Sequence, residues 1–152
     1  GASNPAIGYV SLDLNTTANQ NTAVGISALD ANISGADNVA VGKGALTSDT
    51  LGSYSTALGF AALEAQNFTT ATDAFNVAVG ESAGLSITVG ERNIMIGGSA
   101  GQNATDPDDC VLNRHEAGAG ATLTGHDNTN VGRRAGKATT SPNENPPQAA
   151  SA

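Results

Sequence analysis

The chain has no tryptophan, and its two tyrosines and three phenylalanines bring the aromatic share to only 3% of 152 residues. This argues against a thick globular core, since large rings carry much of the burial in such cores. Charged residues make up 13%, too few for a disordered polyelectrolyte, so the chain is expected to fold. A single cysteine, Cys110, excludes an intrachain disulfide framework and is read as a small buried hydrophobe. No apolar run approaches the ~20 residues that cross a bilayer as a helix, and no membrane insertion is expected. The opening Gly1-Ala2-Ser3-Asn4, without Met or a signal-peptide pattern, is read as the start of a processed or excised chain. Basic residues are scarce: six Lys and Arg face fourteen Asp and Glu, giving a net charge of −8. A uniformly acidic surface repels nucleic acid and anionic lipid alike, so neither is expected as a partner. Arg133, Arg134 and Lys137 form a short basic stretch too small for a nucleic-acid site.

What the chain does have is glycine and a repeat. A pentapeptide of the form Asn-x-Ala-Val-Gly starts at Asn4, Asn21, Asn38, Ser55, Asn76, Asn93 and Asn128 and closes on Gly8, Gly25, Gly42, Gly59, Gly80, Gly97 and Gly132. The first four starts are 17 residues apart; the later steps are 21, 17 and 35, the last being about two coils with one signature lost. The lost signature is placed at Asp109-Cys110-Val111-Leu112-Asn113, with Asn standing for Gly because both tolerate a left-handed backbone. After each glycine comes x-x-Ala-Leu or x-x-Ala-Gly, as in Ala28-Leu29 and Ala100-Gly101. A second turn signal, often glycine (Gly35, Gly52, Gly90, Gly125), sits three residues before the next coil, with Ala18 and Asp73 taking that place elsewhere.

A 17-residue period is too short for helical-pair repeats, and its glycines and β-branched residues favour strands. The predicted fold is all-β: a parallel β-solenoid of about eight 17-residue coils over residues 1–140, each coil with two brief strands, followed by an extended polar tail at 141–152. Alternation along the pentapeptide puts Val24, Val41, Leu58, Val79 and Ile96 on one face, taken as the coil core, with Val131 at the same place in the last repeat. Ala23, Ala40, Ala57 and Ala78 then face outward. A stripe of alanines on a thin solenoid suggests close approach of another backbone, and three chains packed about an axis are expected, so the predicted state is a homotrimer.

Asn38-Val39-Ala40-Val41-Gly42 and Asn76-Val77-Ala78-Val79-Gly80 resemble the head repeats of trimeric autotransporter adhesins and the related repeats of bacteriophage tail fibres, a likeness running from Asn4 to about Lys137. The resemblance implies a left-handed β-roll, three chains in a rigid unit, and an extracellular place on a virion or cell surface. The adhesin repeats are shorter than 17 residues, which leans toward fibre variants with a longer loop on one side of each coil. No neck, coiled-coil stalk, membrane anchor or chaperone domain is visible.

Catalytic chemistry needs converging side chains, and none converge in the sequence, so no enzyme activity, cofactor or metal is expected. His115 and His126 flank a Gly-rich stretch and read as loop histidines. Asp106, Asp108 and Asp109 lack the spacing of a calcium loop and read as a turn at Pro107. Asn-x-Ser/Thr triplets at Asn15, Asn32, Asn67 and Asn103 read as turn chemistry rather than glycan acceptors. Two breaks in the repeat are the candidate binding or interchain loops: the expansion between Leu63 and Asn76, with Phe68 and Phe75, and the stretch from Gln102 to Asp127 with the three aspartates and both histidines. The tail from Ser141 is expected to pack against another chain. The leading functional reading is a fibre or adhesin segment presenting loops to a host glycan or protein. The alternatives are a capsid decoration protein or extracellular filament subunit, and an ice-binding solenoid; the last needs an unbroken Thr ladder, which the second pentapeptide position does not supply.

Overall fold

The architecture follows from one polar side chain per coil. The computed structural model describes residues 3–120 and 123–137. In it the asparagine that opens each pentapeptide points inward. Asn21 Nδ2 donates to the carbonyl of Gly35, fourteen residues on in its own coil, and Asn21 Oδ1 accepts the backbone N–H of Asn38 in the next. Asn38 repeats both bonds with Gly52 and Ser55, and Asn93 repeats them with Pro107 and Cys110. Each pentapeptide asparagine from Asn4 to Asn93 thus closes its own loop and pins the next coil, using buried groups that would otherwise be left unpaired, whereas Asn128 Nδ2 donates back to the Gly125 and His126 carbonyls.

With the first position inside, period two puts the third inside and the second and fourth outside. The pentapeptides form β1 (Ala6–Ile7), β2 (Thr22–Val24), β3 (Val39–Val41), β5 (Thr56–Leu58), β7 (Val77–Val79), β8 (Ile94–Ile96), β9 (Val111–Asn113) and β10 (Thr129–Val131). These pair in parallel as one eight-stranded sheet in the order β1-β2-β3-β5-β7-β8-β9-β10. Among the described residues there is no helix, so the all-β parallel solenoid stands as expected. The second strand of each coil does not. Among the described residues only β4 (Gly52–Ser53) and β6 (Thr72–Asp73) pair on the return side, where most coils run as turns tied by single bonds such as Leu29 N–H to the Ala45 carbonyl. A sequence rich in left-handed residues cannot sustain a second ladder. Positive φ recurs at Ser27, Leu29 and Asp37 of one coil and at Ser82, Gly84 and Arg92 of another.

Two expectations are corrected. The core is the alanine face: Ala23, Ala40, Ala57 and Ala78 are fully buried, while Val41, Leu58, Ile96 and Val131 are exposed and Val24 and Val79 half-buried. The opposite wall explains why small residues line the inside, because Leu29, Leu46 and Leu63 fill the lumen from across the coil. The degenerate coil is also shifted by one residue. Val111 pairs with Ile94 and Leu112 with Met95, so Cys110 holds the asparagine place and Arg114 the glycine place. Arg114 adopts φ 101° there, where the seven glycines lie between 131° and 144°. A Cβ at Gly59 would overlap the carbonyl of Gly80 one coil on, which is why that corner is otherwise glycine. The tail at 141–152, with its proposed interchain packing, lies outside the described residues.

Candidate functional site

The outer face of the eight-stranded sheet is a continuous surface feature that crosses every coil with a strand. Its two columns are Pro5, Thr22, Val39, Thr56, Val77, Ile94, Val111 and Thr129, and Ile7, Val24, Val41, Leu58, Val79, Ile96, Asn113 and Val131. No charged side chain interrupts either. At about 4.8 Å per strand the face is about 34 Å tall. Toward the N-terminal end it widens, because Tyr9, Ile26 and Phe60, one residue past the pentapeptide glycines, are exposed beside it, with the Lys43 ammonium 5.9 Å from the centre of the Phe60 ring. On the other flank Tyr54 and Phe75, each just before a pentapeptide, stack with ring centres 5.1 Å apart and planes 11° off parallel. Natural sheets blunt exposed faces of this extent with charge, and this one, mostly β-branched, carries none. The Thr ladder needed for ice binding is absent from it, since Val39, Val77, Ile94 and Val111 break the second-position column.

The four-residue expansion behaves differently at its two phenylalanines. Phe75 is exposed as expected. Phe68 is buried and is not a presented contact; it covers Gly52, whose added Cβ would lie 2.8 Å from its ring. Its backbone N–H reaches the buried carboxylate of Asp49, which also accepts from the Gly52 N–H and from Gln66 Nε2 at 2.5 Å. Gln66 repairs the one ladder rung where serine replaces asparagine: Nε2 also donates to Ser55 Oγ, and Oε1 accepts from Asn76 Nδ2. Sequence reading missed Asp49 and Gln66, whose signal was a polar residue seven past the glycine in four successive coils, at Asn15, Asn32, Asp49 and Gln66. Asn32 is fully buried, which removes that triplet as a glycan acceptor.

The step from Val111 to Thr129 is 18 residues and in register, so the described part of the stretch from Gln102 to Asp127 continues the solenoid and is not an irregular excursion. Two of its three predicted aspartates are spent on the preceding coil. Asp108 Oδ1 accepts the Glu91 N–H at 2.7 Å, and Asp109 takes Arg92 through both carboxylate oxygens, at 2.7 and 2.9 Å. That guanidinium holds the Asp109 carboxyl below its ordinary value. Asp106 is exposed. His126 lies 3.3 Å from an Asp108 oxygen and His115 3.7 Å from Glu116, so the two histidines serve different carboxylates. Among the described residues no three His, Cys, Asp or Glu side chains gather as a metal site. Cys110 is buried in the ladder, its sulfur 3.4 Å from the Asn128 nitrogen, and burial pushes its thiol up from the ordinary value. Glu116 takes Arg134 at 2.6 Å and Lys137 at 3.2 Å, and these cations hold its carboxyl down at about 2.

The fold defines a class, the parallel β-solenoid repeat proteins, with an apolar sheet face as its main surface feature. Comparison with protein-family models, with curated proteins and with solved structures gives no match.

Proposed function

We propose that the chain is a non-enzymatic structural and adhesive fibre segment that associates laterally through the outer face of its long sheet and presents its corners to a host or surface molecule outside the cell. The observation that carries this reading is the pair of charge-free columns running across all eight strands, from Ile7 to Val131. Water contact with such a face is unfavourable at roughly 25 cal/mol per Å², and a second copy of the same face removes it without needing any other partner. The inversion of the coil strengthens the case, because the outward residues are the large aliphatic ones and not the alanines. Three copies is the number suggested by the resemblance to adhesin heads and phage fibres. The rod shape, the absence of converging catalytic groups among the described residues and the acidic charge all suit presentation rather than turnover.

Light scattering after gel filtration tests the reading directly. The wild-type chain should elute as a discrete oligomer, a trimer under this proposal, and Val41→Glu with Val79→Glu should elute as a monomer with an unchanged β-rich circular dichroism spectrum. A wild-type monomer at micromolar concentration overturns lateral association.

A further inference from the structure

The structure gathers cations that the sequence keeps apart. Arg114 and His115 stack between Gly97-Gly98 of the preceding coil and Gly132-Arg133 of the next, through the Arg114 N–H to Ile96, Glu116 N–H to Gly98 and Arg134 N–H to His115 backbone bonds. Arg114, His115, Arg133, Arg134 and Lys137 are all exposed at this one corner, on a chain whose net charge is −8. Glu116 occupies Arg134 and Lys137, and its other carboxylate oxygen lies 3.7 Å from His115 Nε2. Arg114 and Arg133 have no carboxylate partner among the described residues, whereas Arg92 is held by Asp109 and Glu91, and Lys43 lies over Phe60.

Three further features suit a ligand here. Arg114 stands in the glycine place with φ 101°, a conformation that a side-chain-bearing residue adopts at a cost, and such strain is characteristic of functional positions. The residue after the pentapeptide glycine carries a side chain at Tyr9, Ile26, Lys43, Phe60 and Glu81 but is Gly98 here. The His115 ring overhangs that gap, its Nδ1 3.3 Å from where a Gly98 Cβ would be. The strand register carries Arg133 over His115 and Gly132 over Arg114, so the two arginines sit one coil and one residue apart, and like charges this near repel one another unless an anion is shared.

We propose that Arg114, His115 and Arg133 form a binding site for an anionic glycan, the two guanidinium groups taking a sulfate ester or uronate carboxylate of the sugar over the notch at Gly98. Arginine forks grip planar or tetrahedral oxyanions through paired hydrogen bonds. The patch spans two coils and is flanked by an acidic rod, which fits one or two anionic groups of a sugar chain and opposes an extended nucleic acid or a membrane plane. This inference rests on the attachment reading and supplies its ligand class.

The test is calorimetry on the whole chain with a sulfated heparin-type hexasaccharide, a hexauronate, a neutral dextran hexamer, inorganic sulfate and a six-nucleotide single-stranded DNA. Binding should favour an acidic hexasaccharide over dextran, sulfate and DNA and weaken with added salt. Arg114→Gly and Arg133→Ser should each lose at least about tenfold in affinity. Arg114→Gly restores the residue used by the other coils, so its Tm should not fall, which separates loss of the ligand from loss of the fold. Wild-type affinity in both variants, or DNA binding as tight as that of the sugars, overturns the site. A chain that binds the sugar as a monomer keeps the site and loses the lateral-association reading. A chain that associates yet ignores every sugar does the reverse.

Discussion

The sulfur of Met95 lies so close to Gly101 that a Cβ there would come within 2.8 Å of it, and Leu112 meets Gly118 in the same way one coil on, at 3.0 Å. In the N-terminal coils the sizes are exchanged, with Ala23 facing Leu29, Ala40 facing Leu46 and Ala57 facing Leu63. The lumen therefore holds a nearly constant volume supplied from either wall, save in the coil of Ala78 and Gly84, where Leu63 and Met95 of the flanking coils close over Gly84. Both walls accept either residue because the position four past the glycine keeps the same left-handed backbone throughout, φ 51° at Leu29 and 61° at Gly101.

Exchange of wall is testable by a double-mutant cycle. Met95→Ala alone should open a cavity and cost about 2–5 kcal/mol. Gly101→Leu alone should overpack and cost about 1–3 kcal/mol. Met95→Ala with Gly101→Leu recreates the N-terminal arrangement and should recover most of both losses, a coupling above about 1 kcal/mol in urea denaturation. Strict additivity of the two changes would refute the constant-volume account.

Glycines of this chain are not equivalent, and two of them separate the reasons. Gly59 has φ 144° and stacks directly on the Gly80 carbonyl, so Gly59→Ala must displace a backbone. Gly44 has φ 71° with open space around it, its nearest would-be neighbour being Ala61 Cα at 4.0 Å. Ser27 and Ala61 occupy the matching place in adjacent coils. Thermal denaturation should show Gly44→Ala costing about 1 kcal/mol, the left-handed penalty alone, and Gly59→Ala costing several times more. Equal losses would mean that conformation and not stacking sets the corner.

The period, the strand positions and the parallel stacking were legible because the pentapeptide states them seven times. The inside and outside of the strand were not, because the size of a side chain is no guide to burial in so narrow a coil. The asparagine at the first position was the better guide, since a polar residue repeated at a strand position with no other role belongs in a ladder, and alternation then sends alanine inward. The frame slipped at Cys110 because both marker residues change in one coil, Asn to Cys and Gly to Arg. A thiol can stand in a hydrogen-bonded column, as its sulfur does toward Asn128, but it does not advertise the fact. The pairing of Ala-with-Leu and Met-with-Gly is also present in the letters, six residues apart in the same coil, but it shows only when two positions are compared together. The basic corner needed coordinates, since Arg114 and Arg133 are neighbours only once the coil is closed.

The ladder itself gives the next prediction. Asn38 is fully buried and bonds both Gly52 and Ser55, so Asn38→Ala leaves one carbonyl and one N–H without partners in the interior. The expected cost is about 2–4 kcal/mol, from one to two unsatisfied buried groups, with faster hydrogen exchange at the Ser55 amide. Asn38→Asp should do better than alanine at the Ser55 N–H and worse at Gly52, where a carboxylate oxygen would face a carbonyl. Full stability of the alanine variant would show that water replaces the side chain and that the column is ornamental to folding.

Acid should act on this chain in two opposite ways, and Asp49 can be isolated from the rest. Burial pushes the Asp49 carboxyl above its ordinary value, against the pull of hydrogen bonds from Gln66, Gly52, Phe68 and Leu51. An acid whose pKa is raised by folding holds its proton more readily in the folded state. Its charge therefore costs stability above the folded pKa, and that cost disappears as pH falls through the folded pKa toward the unfolded value. Asp109 and Glu116 run the other way: their pKa values are lowered by Arg92 and by Arg134 with Lys137, and what they contribute is present at neutral pH and lost as pH falls toward about 2 for Glu116. Both are surface pairs whose effect is small and screened by salt. Asp49→Asn keeps the shape and removes the titration, so the Tm of the wild-type chain minus that of the variant should rise between pH 7 and pH 4 while both proteins carry the same surface pairs. A difference that stays flat over that range would mean that the Asp49 carboxylate is already fully stabilised by its four donors and that its burial costs nothing.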